Sequence, residues 1–257
     1  MFSQRSEGYW IAELEADTTL ESDYIFYLHV IGKADAHRVA KLARYVRERQ
    51  LPGGGWNIYD GGPSEINASV KAYFALRIAG DAPGLPHMLR AFRRIRDLGG
   101  IERTNSFTRL YLALAGVVGW DMVPAVPPEL MFLPRWAPIN IYEMSSWTRA
   151  IVIPLTILYA RRPCWPVPGN IRLDDLFVDP ARRIPAFEWG PGLSWRNFFL
   201  ALDRSLQIYE KLPLKPGRDR AIGHAKHWML DHLDRSDGLA AIYPAMMNSI
   251  YALMALG

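Results

Sequence analysis

The chain has 257 residues, half of them hydrophobic, with 9 Trp, 12 Tyr and 10 Phe. That is too apolar for a disordered chain and enough for one or two sizeable cores. Its single cysteine, Cys164, excludes a disulfide framework and a cysteine-based zinc site, and its formal charge is only +4. No uncharged stretch reaches the roughly 18–20 residues that a bilayer crossing needs, and no signal peptide is legible after Met1. The basic excess lies on arginine-rich helix faces such as Arg90, Arg93, Arg94 and Arg96. Those read as solvated faces, with attraction to anionic lipid headgroups second. No nucleic-acid motif accompanies the charge, so nucleic acid is not an expected partner.

The first distinctive segment is Gln4, Gly8 and Trp10 in the pattern Q-x-x-x-G-x-W. Thr18-Thr-Leu-Glu21 then reads as a capping box that opens a helix. Tyr24 to Ile31 is apolar on nearly every side, which predicts a buried helix closed by Gly32. Asp35 caps an amphipathic helix with Val39, Leu42 and Val46 on one stripe. Gln50, Gly54 and Trp56 repeat the Q-x-x-x-G-x-W pattern 46 residues after its first copy, a period that suits stacked helical hairpins.

Ser64 is predicted to cap an apolar helix over 66–79, ended by Gly80. Pro86 opens an outer helix with Met88, Leu89, Phe92 and Ile95 inward, broken by Gly99-Gly100. Thr104 or Asn105 caps an apolar helix over 107–118. Val123–Pro138 is proline-rich and reads as loop with one short helical turn; Ala150–Ala160 is apolar again. Arg161–Trp195 is a long irregular connection, with Pro163, Pro166, Pro168, Pro180, Pro185 and Pro191. An amphipathic helix over 217–233, a turn at Asp237-Gly238 and an apolar helix over 244–256 finish the chain. Apolar and amphipathic helices alternate without sustained strand periodicity. This predicts an all-α fold, an α/α barrel or toroid of inner apolar and outer amphipathic helices.

Longer strings carry a family resemblance: Gly100-Ile-Glu with Phe107-Thr-Arg109, Val126–Leu133, Asn140–Ala150, Ala201-Leu-Asp-Arg204 and Ile242-Tyr-Pro-Ala-Met-Met-Asn248. Together with the Q-x-x-x-G-x-W segments they resemble the squalene–hopene cyclases, within the class II triterpene cyclases. The resemblance runs end to end and implies conversion of linear squalene to pentacyclic hopanoids by cationic polycyclisation, without cofactor or metal. In that chemistry aromatic faces stabilise the cations and a dry cavity prevents early quenching.

The family's proton donor lies in an Asp-x-Asp-Asp motif, and this chain has none: its only Asp pair is Asp174-Asp175, with Arg172 before it. Residues 1–257 are therefore expected to be an amino-terminal cyclase region, mainly its inserted α/α-barrel domain, with the catalytic barrel in a carboxy-terminal portion. On this reading the chain alone is inactive, and surfaces meant for the second barrel are apolar. The implied partners are squalene or a related isoprenoid, the carboxy-terminal cyclase portion and a membrane surface, with room for a homodimer. The implied seat is peripheral or monotopic on the cytoplasmic side of a bacterial inner membrane.

The resemblance assigns the substrate cavity to Trp147, Ile242, Tyr243, Pro244, Phe107 and Asp23, and the entrance channel to Met144 and Val152. Tyr243 stands where relatives often carry a Gln that positions water near the last cation. Arg109 and Tyr111 align with the Phe107 cluster. Glu21, beside Asp23, reads as a capping residue. The stretch around Trp195, Phe198, Phe199 and Leu200 could lie in a membrane face or a core helix.

Other chemistries leave only faint marks in the sequence. His224, His227 and Asp231 share a helix face but read as a polar stripe. Asp174 to Asp179 lacks the spacing of a magnesium motif. Glu129, Glu143 and Glu188 could form a glycosidase pair, though nothing pairs them. A non-catalytic isoprenoid-binding scaffold is the alternative to a cyclase.

Overall fold

The computed structural model describes residues 3–11, 17–137, 140–169, 171–179, 189–233 and 238–257. Apart from an antiparallel ribbon of β1 (Ser3–Gln4) and β2 (Trp10–Ile11), the regular structure of the described residues is helical. The chain divides into two compact units, Met1–Thr108 with Val167–Arg183, and Arg109–Pro166 with Ile184–Gly257.

In the first unit α1 (Thr19–Val30), α2 (Ala36–Glu48) and α4 (Pro86–Asp97) each pack on α3 (Ile66–Ile78). The sequence explains the arrangement. From Ala68 to Ile78 only Lys71 and Arg77 escape burial on α3, whereas α2 buries just Val39, Ala43 and Val46. Burying one stripe of each outer helix covers the central one on several sides. Asp35 caps α2 as expected, accepting from Arg38 N at 2.8 Å.

Four local expectations are corrected. Thr18 does not close a capping box; the side chain of Asp17 instead accepts from Thr19 N at 2.8 Å. Thr18 has φ −75° and ψ 2°, outside the extended conformation that would turn its hydroxyl back onto the helix. Glu65, not Ser64, caps α3 by accepting from Ala68 N at 2.9 Å. On α4, Leu89 faces outward while Met88, Ala91 and Ile95 are buried, because the stripe runs i, i+3, i+7 from Met88. Helix α1 is half-covered rather than buried all round, with Tyr24, Tyr27 and His29 partly exposed.

Helix α5 (Ser106–Leu114) starts at Asn105, whose Oδ1 accepts from Thr108 N at 2.9 Å. It ends short of Val118 because the chain turns at Gly116, φ 73°.

In the second unit α6 (Ser146–Arg161) packs lengthwise on α9 (Tyr243–Leu256), with α8 (Arg218–Leu233) behind it. Ser145 caps α6 by accepting from Thr148 N at 3.2 Å, and Pro244 lies in the first turn of α9. Within the proline-rich stretch Pro128–Phe132 forms a 3₁₀ turn that meets α6 and α8. Helix α7 (Trp195–Lys211) buries only Glu210. Pro138, Pro180, Pro185 and Asp237 lie outside the described residues.

Candidate functional site

The approach to α6 is built by a buried amide. Asn140 Oδ1 accepts from Tyr142 N at 2.8 Å and Glu143 N at 3.0 Å, and its Nδ2 donates to Ala137 O at 2.8 Å. This turn delivers Met144, half-buried, to the cap Ser145. Trp147 follows on the first turn of α6 and is 63% exposed. One and a half turns along, Val152 is half-buried.

The start of α9 meets the same stretch of α6. Ala150, Leu239 and Ala245 form a buried cluster against which Ile151, Trp228 and Ile242 pack. Ile242 is thus brought to α6, and Tyr243 and Pro244 are half-buried beside it in sequence. The segment that leads in is unusual. Gly238, Leu239, Ala240 and Ala241 all have left-handed backbone, φ 71°, 55°, 64° and 52°. Such conformations are costly for residues with a Cβ.

Behind this surface lies an aromatic core. Tyr251 is fully buried, with its ring 6.3 Å from Tyr111, edge-on, and 5.5 Å from Trp165. Asn248, also buried, has neither amide atom hydrogen-bonded. Sequence reasoning missed Asn248 as anything but part of a motif; its signal is a lone amide, next to Ser249, in a helix that is mostly apolar. Arg109 is buried and donates to Met122 O at 3.4 Å, and burial lowers its pKa.

The first unit holds the remaining candidates. Asp23 on α1 is buried and accepts from Lys71 Nζ on α3 at 2.7 Å. Burial pushes the Asp23 pKa up to about 6, while the Lys71 charge and hydrogen bond pull against it. Sequence reasoning noted Lys71 without drawing a role from it. Glu21 is half-buried and its pKa is raised, chiefly by burial. Phe107, on the first turn of α5, is 40% exposed. The Asn67 Oδ1 accepts from Asn105 N at 2.7 Å and Thr108 Oγ1 at 3.0 Å, tying α3 to that turn.

The two Q-x-x-x-G-x-W segments make one local bond twice. Gln4 Nε2 donates to Gly8 O at 3.0 Å and Gln50 Nε2 to Gly54 O at 2.8 Å, with φ 89° at Gly8 and 94° at Gly54. Their surroundings differ. Gln50 also donates to His87 O at 2.9 Å, and Trp56 is fully buried with its Nε1 donating to Val46 O at 2.7 Å. Trp10 is 64% exposed.

The other chemistries find no support. His224, His227 and Asp231 are exposed, and among the described residues no group of three or more His, Cys, Asp or Glu could hold a metal ion. Glu129 is engaged by Arg218 at 2.9 Å; burial opposes its ionisation, but Arg218 outweighs burial and holds its pKa below the usual value. Glu143 is exposed, and Glu188 lies outside the described residues. Asp174 pairs with Arg172 at 2.6 Å in a 3₁₀ turn, Asp174–Leu176, whose neighbouring carbonyls are held by Arg96.

The all-helical build and this set of strings converge on one class, the helical terpene cyclases. Residues 1–257 match the family description "squalene-hopene cyclase N-terminal domain", so the chain belongs to the squalene–hopene cyclase family, as its amino-terminal portion. It is 42% identical over 255 residues to a squalene–hopene cyclase of Zymomonas mobilis, covering 99% of this chain and 38% of the relative. It is 39% identical over 256 residues to one from Alicyclobacillus acidocaldarius, covering 98% and 40%. A dammaradiene synthase of Dryopteris crassirhizoma is 30% identical over 259 residues, covering 99% and 37%. The chain thus spans about two fifths of the length of these relatives.

Proposed function

We propose that this chain contributes cavity wall to an enzyme that cyclises linear squalene to pentacyclic hopanoids, the proton donor being supplied by a carboxy-terminal catalytic barrel. The observation that carries the reading is the end-to-end family match over residues 1–257. Trp147 supplies an exposed indole face of the kind that stabilises carbocations, at the stretch of α6 on which Ile242 packs. Ile242, Tyr243 and Pro244 cap the ring-forming end, and Tyr243 replaces a water-positioning amide with a phenol. By the family resemblance, Phe107 and Asp23 are the wall residues of the first unit, and Met144 and Val152 are the entrance-channel residues of the second.

The substrate dissolves in membranes, and α7 suits delivery from one. Trp195 is 77% exposed, and Phe198, Phe199 and Ile208 are exposed with it, although no helix among the described residues is long and apolar enough to cross a membrane. The exposed aromatics support a peripheral or monotopic seat on a membrane, and the family resemblance alone suggests the cytoplasmic side of a bacterial inner membrane.

The test is to assemble this chain with the carboxy-terminal portion, feed squalene in detergent and analyse products by gas chromatography. Pentacyclic product is expected, with Trp147→Ala lowering turnover or releasing incompletely cyclised products. A folded assembly that yields no cyclised product would overturn the reading.

A further inference from the structure

The chain enters α9 through backbone that suits glycine, yet three of its four residues carry a Cβ. Gly238 is followed by Leu239, Ala240 and Ala241, with φ 55°, 64° and 52°. Single left-handed residues of this kind are uncommon and costly, and here three are consecutive. Such strain persists only where the surroundings over-determine the conformation.

The contacts that hold the run are visible. A Cβ at Gly238 would fall 2.9 Å from Met246 Sδ, so the run begins close against the first turn of α9. Leu239 is 1% exposed and forms one buried cluster with Ala150 of α6 and Ala245 of α9. Ala240 and Ile242 pack against that same cluster. Its two alanines supply little bulk, so the bulk must come from the side chains around it. Among the described residues packed on the cluster, Trp228 of α8 is the largest.

The Trp228 indole is itself held in place. The His232 ring stacks on it, with centroids 3.8 Å apart and planes 21° apart. His232 is one turn further along α8, where residues four apart are neighbours, and its Nδ1 donates to Trp228 O at 2.8 Å. A ring fixed in this way presses on the cluster with one shape.

The geometry points to Trp228 as a positioning residue. Steadied by His232 and packed on the Ala150–Leu239–Ala245 cluster, it holds the left-handed run and so sets where Ile242, Tyr243 and Pro244 stand against α6. The inference rests on the reading above that these three residues cap the ring-forming end of the cavity. It adds that the cap is fixed from α8, by a side chain that does not need to touch the substrate. A cap that shifts admits water to the growing cation, and quenching then comes before the last ring closes.

The test uses this chain assembled with the carboxy-terminal portion, squalene as substrate and gas chromatography of the products. Trp228→Leu keeps an apolar contact but removes the ring and its stack. It should raise the ratio of incompletely cyclised to pentacyclic product about fivefold, the effect of about 1 kcal/mol between competing steps, with KM nearly unchanged. Trp228→Phe, which keeps a ring for His232 to stack on, should restore most of the wild-type ratio. Ala241→Gly, which relaxes the run, should shift the ratio in the wild-type background but add little to Trp228→Leu, because both act on one element. Should Trp228→Leu fail to fold, His232→Leu removes the stack, keeps the indole and should shift the ratio in the same direction by a smaller factor. A purely structural Trp228 would lower the melting temperature and leave the product ratio where it was. That result, or fully additive effects of the two substitutions, would overturn the proposal. A wild-type assembly without cyclised product would instead overturn the cap reading, and this proposal with it.

Discussion

Lys71 on α3 holds its Nζ 2.7 Å from the Oδ2 of Asp23 on α1, joining two helices through a charge pair withdrawn from water. Burial still dominates, and the Asp23 pKa stands near 6 against an ordinary value of 3.8. The folded state therefore holds this proton more tightly than the unfolded one. The resulting stabilisation is complete below about pH 4 and is lost as pH rises through about 6. A shift of that size corresponds to about 3 kcal/mol. Asp23→Asn should flatten this part of the pH dependence, read as urea midpoints from pH 4 to 7. Equal slopes in the two proteins would remove Asp23 as its source.

Gly8 and Gly54 occupy equivalent places in the two Q-x-x-x-G-x-W segments and share a left-handed φ, but only one is crowded. A Cβ at Gly54 would fall 2.5 Å from Arg90 O, whereas at Gly8 it would meet nothing within 4 Å. Gly8→Ala should cost about 1 kcal/mol, the conformational penalty alone. Gly54→Ala must also displace the backbone of α4, and should cost about 3 kcal/mol or more through overpacking. Thermal unfolding of the two variants measures the difference. Equal losses would contradict the close approach to Arg90.

Much of the first unit was legible because its information is periodic. Met88 and Ile95 on α4 and the nearly continuous apolar run of α3 declare themselves by spacing, whereas the small Ala91 between them gave no such signal. What misled was cap chemistry, where one residue decides. Thr18 and Ser64 are of the types that favour a helix start, yet the neighbouring carboxylates of Asp17 and Glu65 accept the first backbone N–H groups. The Lys71–Asp23 pair was illegible for another reason: 48 residues separate its members, and spacing carries no sign of such a contact. Trp147 and Ile242 are singled out only by the family strings, since an exposed Trp on α6 and a core Trp look alike in sequence.

Arg218 is the hub of the second unit. It donates through Nε and Nη2 to Glu129 at 2.9 and 3.1 Å, and through both terminal nitrogens to Glu210. It thereby ties α8 to α7 and to the Pro128–Phe132 turn. Arg218→Met would leave two carboxylates without their principal cation and should cost about 3–5 kcal/mol. Replacing Glu129 and Glu210 by Leu in the same protein should recover most of the loss, because apolar packing can substitute for a buried ion network. Urea unfolding of the single and triple variants checks this. No recovery in the triple variant would mean that the cluster supplies specific geometry rather than neutralisation.

The left-handed run from Gly238 to Ala241 separates strain from packing residue by residue. Leu239 is buried against Ala150 and Ala245, so its conformation is held by contacts. Ala241 is exposed, with φ 52°, and has no comparable burial to offset its strain. Ala241→Gly should therefore stabilise the fold by about 0.5–1 kcal/mol, strain relief exceeding the added freedom of the unfolded chain. Ala241→Val should destabilise, since a β-branched residue tolerates this conformation least. Midpoints of thermal unfolding test both signs. The run leads directly into Ile242, so the assembled enzyme adds a second readout. If strain fixes the Ile242–Pro244 cap, the glycine variant should gain stability and release a broader product mixture. A gain in stability with the product ratio unchanged would separate the strained backbone from control of the product.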